Sequence, residues 1–171
     1  MICPSCCHKN LPGDEVCKHC KQPLTPFDLP QPENSVERSV MYDQVKSLKQ
    51  NSPVTIGQST NIGDAMVLMV ATNVGAILVI DDAGKLVGIF SERDLLKKIA
   101  GNVADYRTLP ITQFMTPRPE SVSTTDTLNF VLQKMDAGGY RHVPVVEHGK
   151  PVSIISARDM LRFLTRQCRE A

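Results

Sequence analysis

A nine-residue phrase occurs twice in the chain and constrains its fold more than any other feature. The first copy is Gly88-Ile-Phe-Ser91-Glu-Arg93-Asp94-Leu-Leu96, the second Ser153-Ile-Ile-Ser156-Ala-Arg158-Asp159-Met-Leu161. In each, a short apolar run ends at a serine, as a buried strand does when it breaks into a helix. Serine is a favoured N-cap, and an acidic residue three positions on falls in the first helical turn. Each copy therefore gathers a hydroxyl, a guanidinium and a carboxylate around the free N–H groups of a helix start, where a ribose and a phosphate could be held. Ser-x-x-Asp is also close to a capping box, which needs no ligand. Both readings stand at this point.

The phrase belongs to a longer repeat. Val45 and Leu48 align with Ile111 and Phe114, Pro53 with Pro119, Ile56 with Val122, Ile62 with Leu128 and Met69 with Met135, at an offset of 66. After a one-residue gap between Asp82 and Gly84, Val87 and Asp94 align with Val152 and Asp159 at an offset of 65. Each unit reads as strand, helix, strand, strand, helix. The first helix is expected over about Ile62–Thr72 and its counterpart over about Leu128–Ala137. Hairpins are expected from Ala76–Asp81, Gly84 and Lys85–Phe90, and from His142–Glu147, Gly149 and Pro151–Ile155. The runs at 76–80 and 143–146 are apolar on both faces, as strands covered by helices should be. One unit buries its sheet poorly alone, whereas two related by a pseudo-twofold share a core. The expected fold class is α/β of the α+β type, a pair of β-α-β-β-α repeats behind a small appendage.

The appendage is marked by cysteine. Five of the six cysteines lie within the first 20 residues, so they form a local device and not a distributed disulfide framework. Cys3-Pro-Ser-Cys6 and Cys17-Lys-His-Cys20 are two C-x-x-C pairs, each able to offer two thiolates from one tight turn to a tetrahedral ion. A redox pair is the rival, but no strand–helix context surrounds either motif. The stretch resembles the short zinc ribbons of many prokaryotic proteins, with Asn10, Gly13 and Leu24 matching and Cys7 and Lys21 replacing two knuckle glycines. That resemblance implies structural zinc on Cys3, Cys6, Cys17 and Cys20; Cys7, His8 and His19 are available as alternative ligands. Pro23, Pro26, Pro30 and Pro32, among Gln22, Gln31 and Asn34, then mark a linker. From Ser35 the spacing of Val36, Val40, Met41, Val45 and Leu48 turns helical.

Charge and length exclude several classes. At 171 residues, with 42% hydrophobic residues and a formal net charge of +1, the chain makes no electrostatic case for nucleic acid or an anionic membrane. Residues 1–24 carry Lys9, Lys18 and Lys21 against Asp14 and Glu15, thin for a phosphate backbone. No apolar run reaches the roughly 20 residues of a spanning helix, and the first residues lack a signal-peptide pattern. A cytoplasmic protein is expected. No G-x-S-x-G, dinucleotide-binding glycine fingerprint or P-loop occurs, so no enzyme is expected. Cys168, alone in the final turn, reads as incidental.

Several stretches together carry a second resemblance: Val74-Gly-Ala-Ile-Leu-Val-Ile-Asp81, Gly88-Ile-Phe-Ser-Glu-Arg-Asp94, Phe114-Met-Thr116, Tyr140-Arg-His-Val-Pro-Val-Val146 and Ser156-Ala-Arg-Asp159. About Val45–Thr165 resembles a tandem of cystathionine-β-synthase (CBS) domains, regulatory modules that bind adenosine-containing ligands between two repeats. The resemblance implies that Asp94 and Asp159 take ribose hydroxyls and that Ser91, Ser156, Arg93 and Arg158 face phosphate. It also implies that Val54, Thr55 and Ile56, or Glu120, Ser121 and Val122, line the adenine. Arg141 and His142 replace Gly75 and Ala76 of the first repeat and suggest added phosphate capacity, with a structural histidine as the alternative. Departures are Ser153 for the glycine at Gly88, and Lys49-Gln50 for Met115-Thr116. The expected organisation is a zinc ribbon at 1–24, a linker at 25–38, and repeats at 39–104 and 105–171. The expected ligand is AMP, ADP or ATP, with an unidentified protein partner. A homodimer is expected through a helical face containing Met66, Val70, Leu128 and Leu132. Rival readings are a ligand-free scaffold and a ribbon that binds nucleic acid.

Overall fold

The computed structural model describes residues 3, 6, 8–11, 14–22, 24, 32–49, 51–101 and 105–170. Expectations placed on Cys7, Gly13, Pro23, Pro26, Pro30, Gln31 and Gln50 lie outside them. Contacts divide the chain into two units, Met1–Glu33 and Asn34–Ala171. Among the described residues, no helix is long and apolar enough to cross a membrane.

The larger unit opens with α1 (Ser35–Tyr42), capped by the Asn34 side chain, which accepts from Glu37 N at 2.9 Å. The first repeat follows as β1 (Thr55–Gly57), α2 (Ile62–Thr72), β2 (Ala76–Ile80) and β3 (Leu86–Ser91). Its last helix, α3, starts regularly at Glu92–Asp94 and continues as a π-helical turn over Leu95–Ile99. β4 (Thr116–Pro117) leads into the second repeat, which supplies α4 (Leu128–Gly138), β5 (His142–Glu147), β6 (Lys150–Ser156) and α5 (Ala157–Glu170). Both middle helices begin at a capping side chain, Asn61 or Thr127. Both end at a left-handed residue, Asn73 or Gly139, which returns N–H groups to the last carbonyls.

The sheet topology repeats as well. β1 runs parallel to β2 with Ile56 opposite Val79, and β2 is antiparallel to β3. In the second repeat, Val122 bridges in parallel to Val145, and β5 is antiparallel to β6. The first strand of that repeat has shrunk to this one bridge. Leu78 N donates to Val54 O at 3.0 Å, but its counterpart is Pro144, which has no N–H to give.

The two cores are interlocked. Ile62, Ile77, Val79, Phe90 and Ile99 of the first repeat pack with Ile111 and Phe114, which lead into the second. Leu128, Val131, Val143, Val145 and Phe163 pack with Val45 and Leu48, which lead into the first. Each repeat thus lends its lead-in to the other. A third cluster, Ala76, Leu78 and Ile89 against Ile154, joins the two sheets. Leu86 N also donates across the pair to Gly149 O at 3.0 Å.

The departure at Ser153 has a steric account. A Cβ at Gly88 would lie 2.2 Å from Met115 Sδ, so a side chain there and Met115 cannot coexist unmoved. Ser153 is buried in the corresponding place and donates to Asn51 O at 3.0 Å, while exposed Lys49 stands in for Met115. Gly88→Ala should therefore lower the stability of the larger unit by about 1–3 kcal/mol, the usual cost of overpacking. Urea titration reads this directly; an unchanged midpoint would mean that Met115 swings aside freely.

Candidate functional site

The first candidate site is the cysteine cluster. Backbone bonds from Cys3 N to His8 O, Cys17 N to Gln22 O and Lys21 N to Cys17 O fold the chain tightly beside the thiols. Lys21 takes φ 61°, the left-handed conformation that the missing knuckle glycine would adopt at less cost. The sulfurs of Cys3, Cys6, Cys17 and Cys20 all lie within 4.8 Å of one another. Cys3–Cys20 is 3.5 Å and Cys6–Cys17 is 3.6 Å. A tetrahedron of thiolates about 2.3 Å from zinc has edges of about 3.8 Å, so the cluster has the size of such a site. His8 and His19 stack on each other at 5.4 Å between ring centroids, both largely exposed.

The thiols share protons unevenly. Burial alone would push Cys17 up. The backbone N–H groups of Cys20 and His19, the Asn10 amide and the Cys6 thiol act together against it and bring Cys17 down to about 5. At Cys6 the His8 backbone favours the thiolate, but burial and the other three thiols outweigh it and push the thiol up to about 12. A thiolate already held among three more thiols is the donor set that a soft dication takes over by displacing protons. Asn10 braces the cluster: its amide donates to Cys17 Sγ at 3.5 Å, and its oxygen accepts from Lys18 N at 3.0 Å.

The second candidate is the pair of helix starts of α3 and α5, where the ligand clefts are expected. Both repeated phrases form full capping arrangements. Asp94 Oδ2 accepts from Ser91 N at 3.0 Å and from Ser91 Oγ at 2.7 Å. Asp159 Oδ2 accepts from Ser156 N at 2.8 Å and from Ser156 Oγ at 2.6 Å. The hydroxyl protons of Ser91 and Ser156 are thereby committed, and each carboxylate has only Oδ1 left for other partners. At Asp94 that oxygen is taken by Lys98 Nζ at 2.7 Å and Thr116 Oγ1 at 3.3 Å. At Asp159 it meets Arg162 at 3.6 Å.

The remaining expected site residues are spread around these starts. Arg93 donates to Gly139 O at 2.7 Å and so ties α3 to the end of α4. Arg158 is exposed and, with Leu161, Arg162, Thr165, Arg166 and Arg169, lines a shallow groove of about 370 Å³ along α5. Thr55 is exposed on β1, and Ser121 is half-buried beside the Val122 bridge. Arg141 is exposed, and its carbonyl accepts from Ala157 N at 2.9 Å, as Gly75 O accepts from Glu92 N in the first repeat. His142 lies over Gly75 beside the Glu92 carboxylate. Burial holds its imidazole below the ordinary range; Glu92 and Asp159 pull it upward, and Arg141 and Arg158 push it down further. Burial thus favours the neutral imidazole, which can donate from one ring nitrogen. The contact of Lys98 with Asp94 went unread in the sequence, where it resembles an ordinary surface pair at i,i+4.

Comparison with known proteins bears on this geometry. The chain is 34% identical over 128 residues to CBSCBSPB2, a CBS domain-containing protein of Arabidopsis thaliana, a match spanning 74% of this chain and 23% of that relative. It is similar to the CBS domain pair of protein MJ0100, solved in complex with 5′-methylthioadenosine and S-adenosyl-L-methionine. There the TM-score is 0.67 at 25% identity, over 74% of this chain and 98% of that one. It is also similar to CBS domain protein PAE2072 from Pyrobaculum aerophilum, solved with AMP, with a TM-score of 0.65 at 25% identity over 75% and 99% of the two chains. The model of the CBS domain matches twice, at residues 45–101 and 111–166, the two interlocked repeats described above. With its α+β fold and its paired repeats, the chain belongs to the CBS-domain family.

Proposed function

We propose that the chain is a regulatory sensor, not a catalyst, whose CBS pair binds an adenosine-containing ligand, with AMP, ADP or ATP the first choices. The observation that carries the reading is Asp159. Its Oδ2 is fixed by Ser156, while its Oδ1 has, as its one ion-pair partner among the described residues, an exposed arginine 3.6 Å away. A vicinal diol is a fitting partner for that oxygen, and Arg141 and His142 supply donors nearby. The AMP and S-adenosylmethionine complexes of the two similar CBS pairs support the same class of ligand. Arg93, Arg158, Thr55 and Ser121 complete the proposed contacts.

The cysteine cluster, in this reading, holds one structural zinc and presents the ribbon at 1–24 to a protein partner, while the repeats at 39–104 and 105–171 pair with a second copy in the cytoplasm. Of the apolar residues expected at that dimer face, Leu128 is fully buried and Met66 and Leu132 are packed against the cores, so Val70 with neighbouring Val67 would carry it.

Thermal melting with and without AMP tests the sensor. A ligand that binds only the folded chain raises its melting temperature by mass action, about 2.7 kcal/mol of stabilisation at a hundredfold excess over Kd. The 2′-deoxy analogue should bind roughly tenfold or more weakly, because a carboxylate oxygen loses a partner. No shift with AMP, ADP, ATP, NAD or S-adenosylmethionine would leave Ser91–Asp94 and Ser156–Asp159 as caps alone and favour a ligand-free scaffold.

A further inference from the structure

The two expected clefts share the same phrase, but their carboxylates are not equally engaged. In the first, the Lys98 ammonium has three acceptors around it: Asp94 Oδ1 at 2.7 Å, Phe114 O at 2.7 Å and Thr116 Oγ1 at 3.5 Å. An ammonium has three N–H donors, so it is fully occupied, and both oxygens of Asp94 are engaged. In the second cleft, among the described residues, Asp159 Oδ1 has only Arg162, whose side chain is 70% exposed. Such a pair yields readily to a ligand. The carboxyl side chain of Asp159 is also 24% exposed, against 12% for Asp94.

The cause lies in the helices. α5 is regular, and Phe163, four residues after Asp159, turns into the second core. α3 widens into a π turn, closed by Ala100 N donating to Leu95 O. Ile99, five after Asp94, is buried in the first core while Lys98, four after it, is exposed; in the second repeat Phe163 is buried and Leu164 packs against it. The extra residue is Lys98, which reaches back onto the carboxylate instead of into the core. Single π turns of this kind recur where a helix serves a site. The side-chain complement agrees: Gly75 and Ala76 stand in the first repeat where Arg141 and His142 stand in the second.

We propose that Lys98 is a resident plug of the cleft at Asp94, leaving the cleft at Asp159 as the one that takes the nucleotide. This rests on the ligand reading above. A ligand entering the first cleft would have to replace one ammonium on a carboxylate, a carbonyl and a hydroxyl at once. Ribose hydroxyls can serve the carboxylate but bring no positive charge to it.

Calorimetric titration of the full, metal-loaded chain with AMP tests the assignment. The wild type should bind one equivalent, lost in Asp159→Ala and kept in Asp94→Ala. Lys98→Met, which retains the apolar stem, should bind two, and adding Asp94→Ala should return it to one. Should Lys98→Met fail to fold, Lys98→Gln is read in the same way. Two equivalents in the wild type, loss of binding in Asp94→Ala, or a single equivalent in a folded Lys98 variant would each overturn the plug while leaving the sensor reading in place. No heat from the wild type or either Lys98 variant would overturn both.

Discussion

Replacing Cys17 with serine should strip the ribbon of its metal and unfold it, while the repeats melt as before. The reason is the small size of the ribbon's core. Among the described residues, its buried apolar side chains are Cys3, Cys17 and Leu24, packed with Cys6 and Cys20, so the cysteines make up most of that cluster. A segment of this kind draws its folding free energy from the metal, on the order of 10 kcal/mol or more for structural zinc at neutral pH. Cys17 is a suitable target, because it is buried and its sulfur accepts from the Asn10 amide. Elemental analysis should find about one zinc per wild-type chain and a small fraction of that in Cys17→Ser. Metal-free wild-type protein with four freely reactive thiols would end the zinc reading. A shared fall in the melting of 34–171 would show that the ribbon also supports the repeats.

Phe90→Ala should cost the larger unit about 3–5 kcal/mol, the range for removing a fully buried phenylalanine. Phe90 is the bulkiest of the fully buried side chains and packs in the first core between strand residues and the borrowed Ile111 and Phe114. A unit of this size should lose on the order of 10 °C in melting temperature. Leu96→Ala provides the contrast. Leu96 is 69% exposed on α3, and its removal should change stability by no more than about 0.5 kcal/mol. Comparable effects from the two variants would mean that the first core is not where the burial places it.

These contrasts also explain which parts of the molecule could be read from sequence. α2 spans Ile62–Thr72 as its apolar spacing predicts, with an asparagine capping each end and Ile62, Ala65 and Met69 buried in the first core. β2 is buried on both faces, in keeping with its unbroken apolar run. The offset that aligned Val45 and Leu48 with Ile111 and Phe114 identified equivalent residues, but not that each pair packs in the other repeat's core. Periodicity reports that a residue is buried, not which partner buries it. The expected dimer face shows the same limit: Leu128 has the spacing of a face residue but is wholly buried. The capped helix starts were legible in Ser91, Asp94, Ser156 and Asp159. Lys98 was not, because a one-residue widening of a helix leaves no pattern in the letters Leu95–Ile99.

The exchange of lead-ins has an evolutionary consequence. A chain consisting of one such unit could complete its cores only by pairing with an identical chain, each lending Val45-type residues to its mate. In that symmetric pair every substitution would occur twice, and a lysine in the place of Lys98 would reach both carboxylates together. Joining the halves in a single polypeptide removes the constraint. One half becomes free to change without its sibling, and inequality between the two becomes heritable.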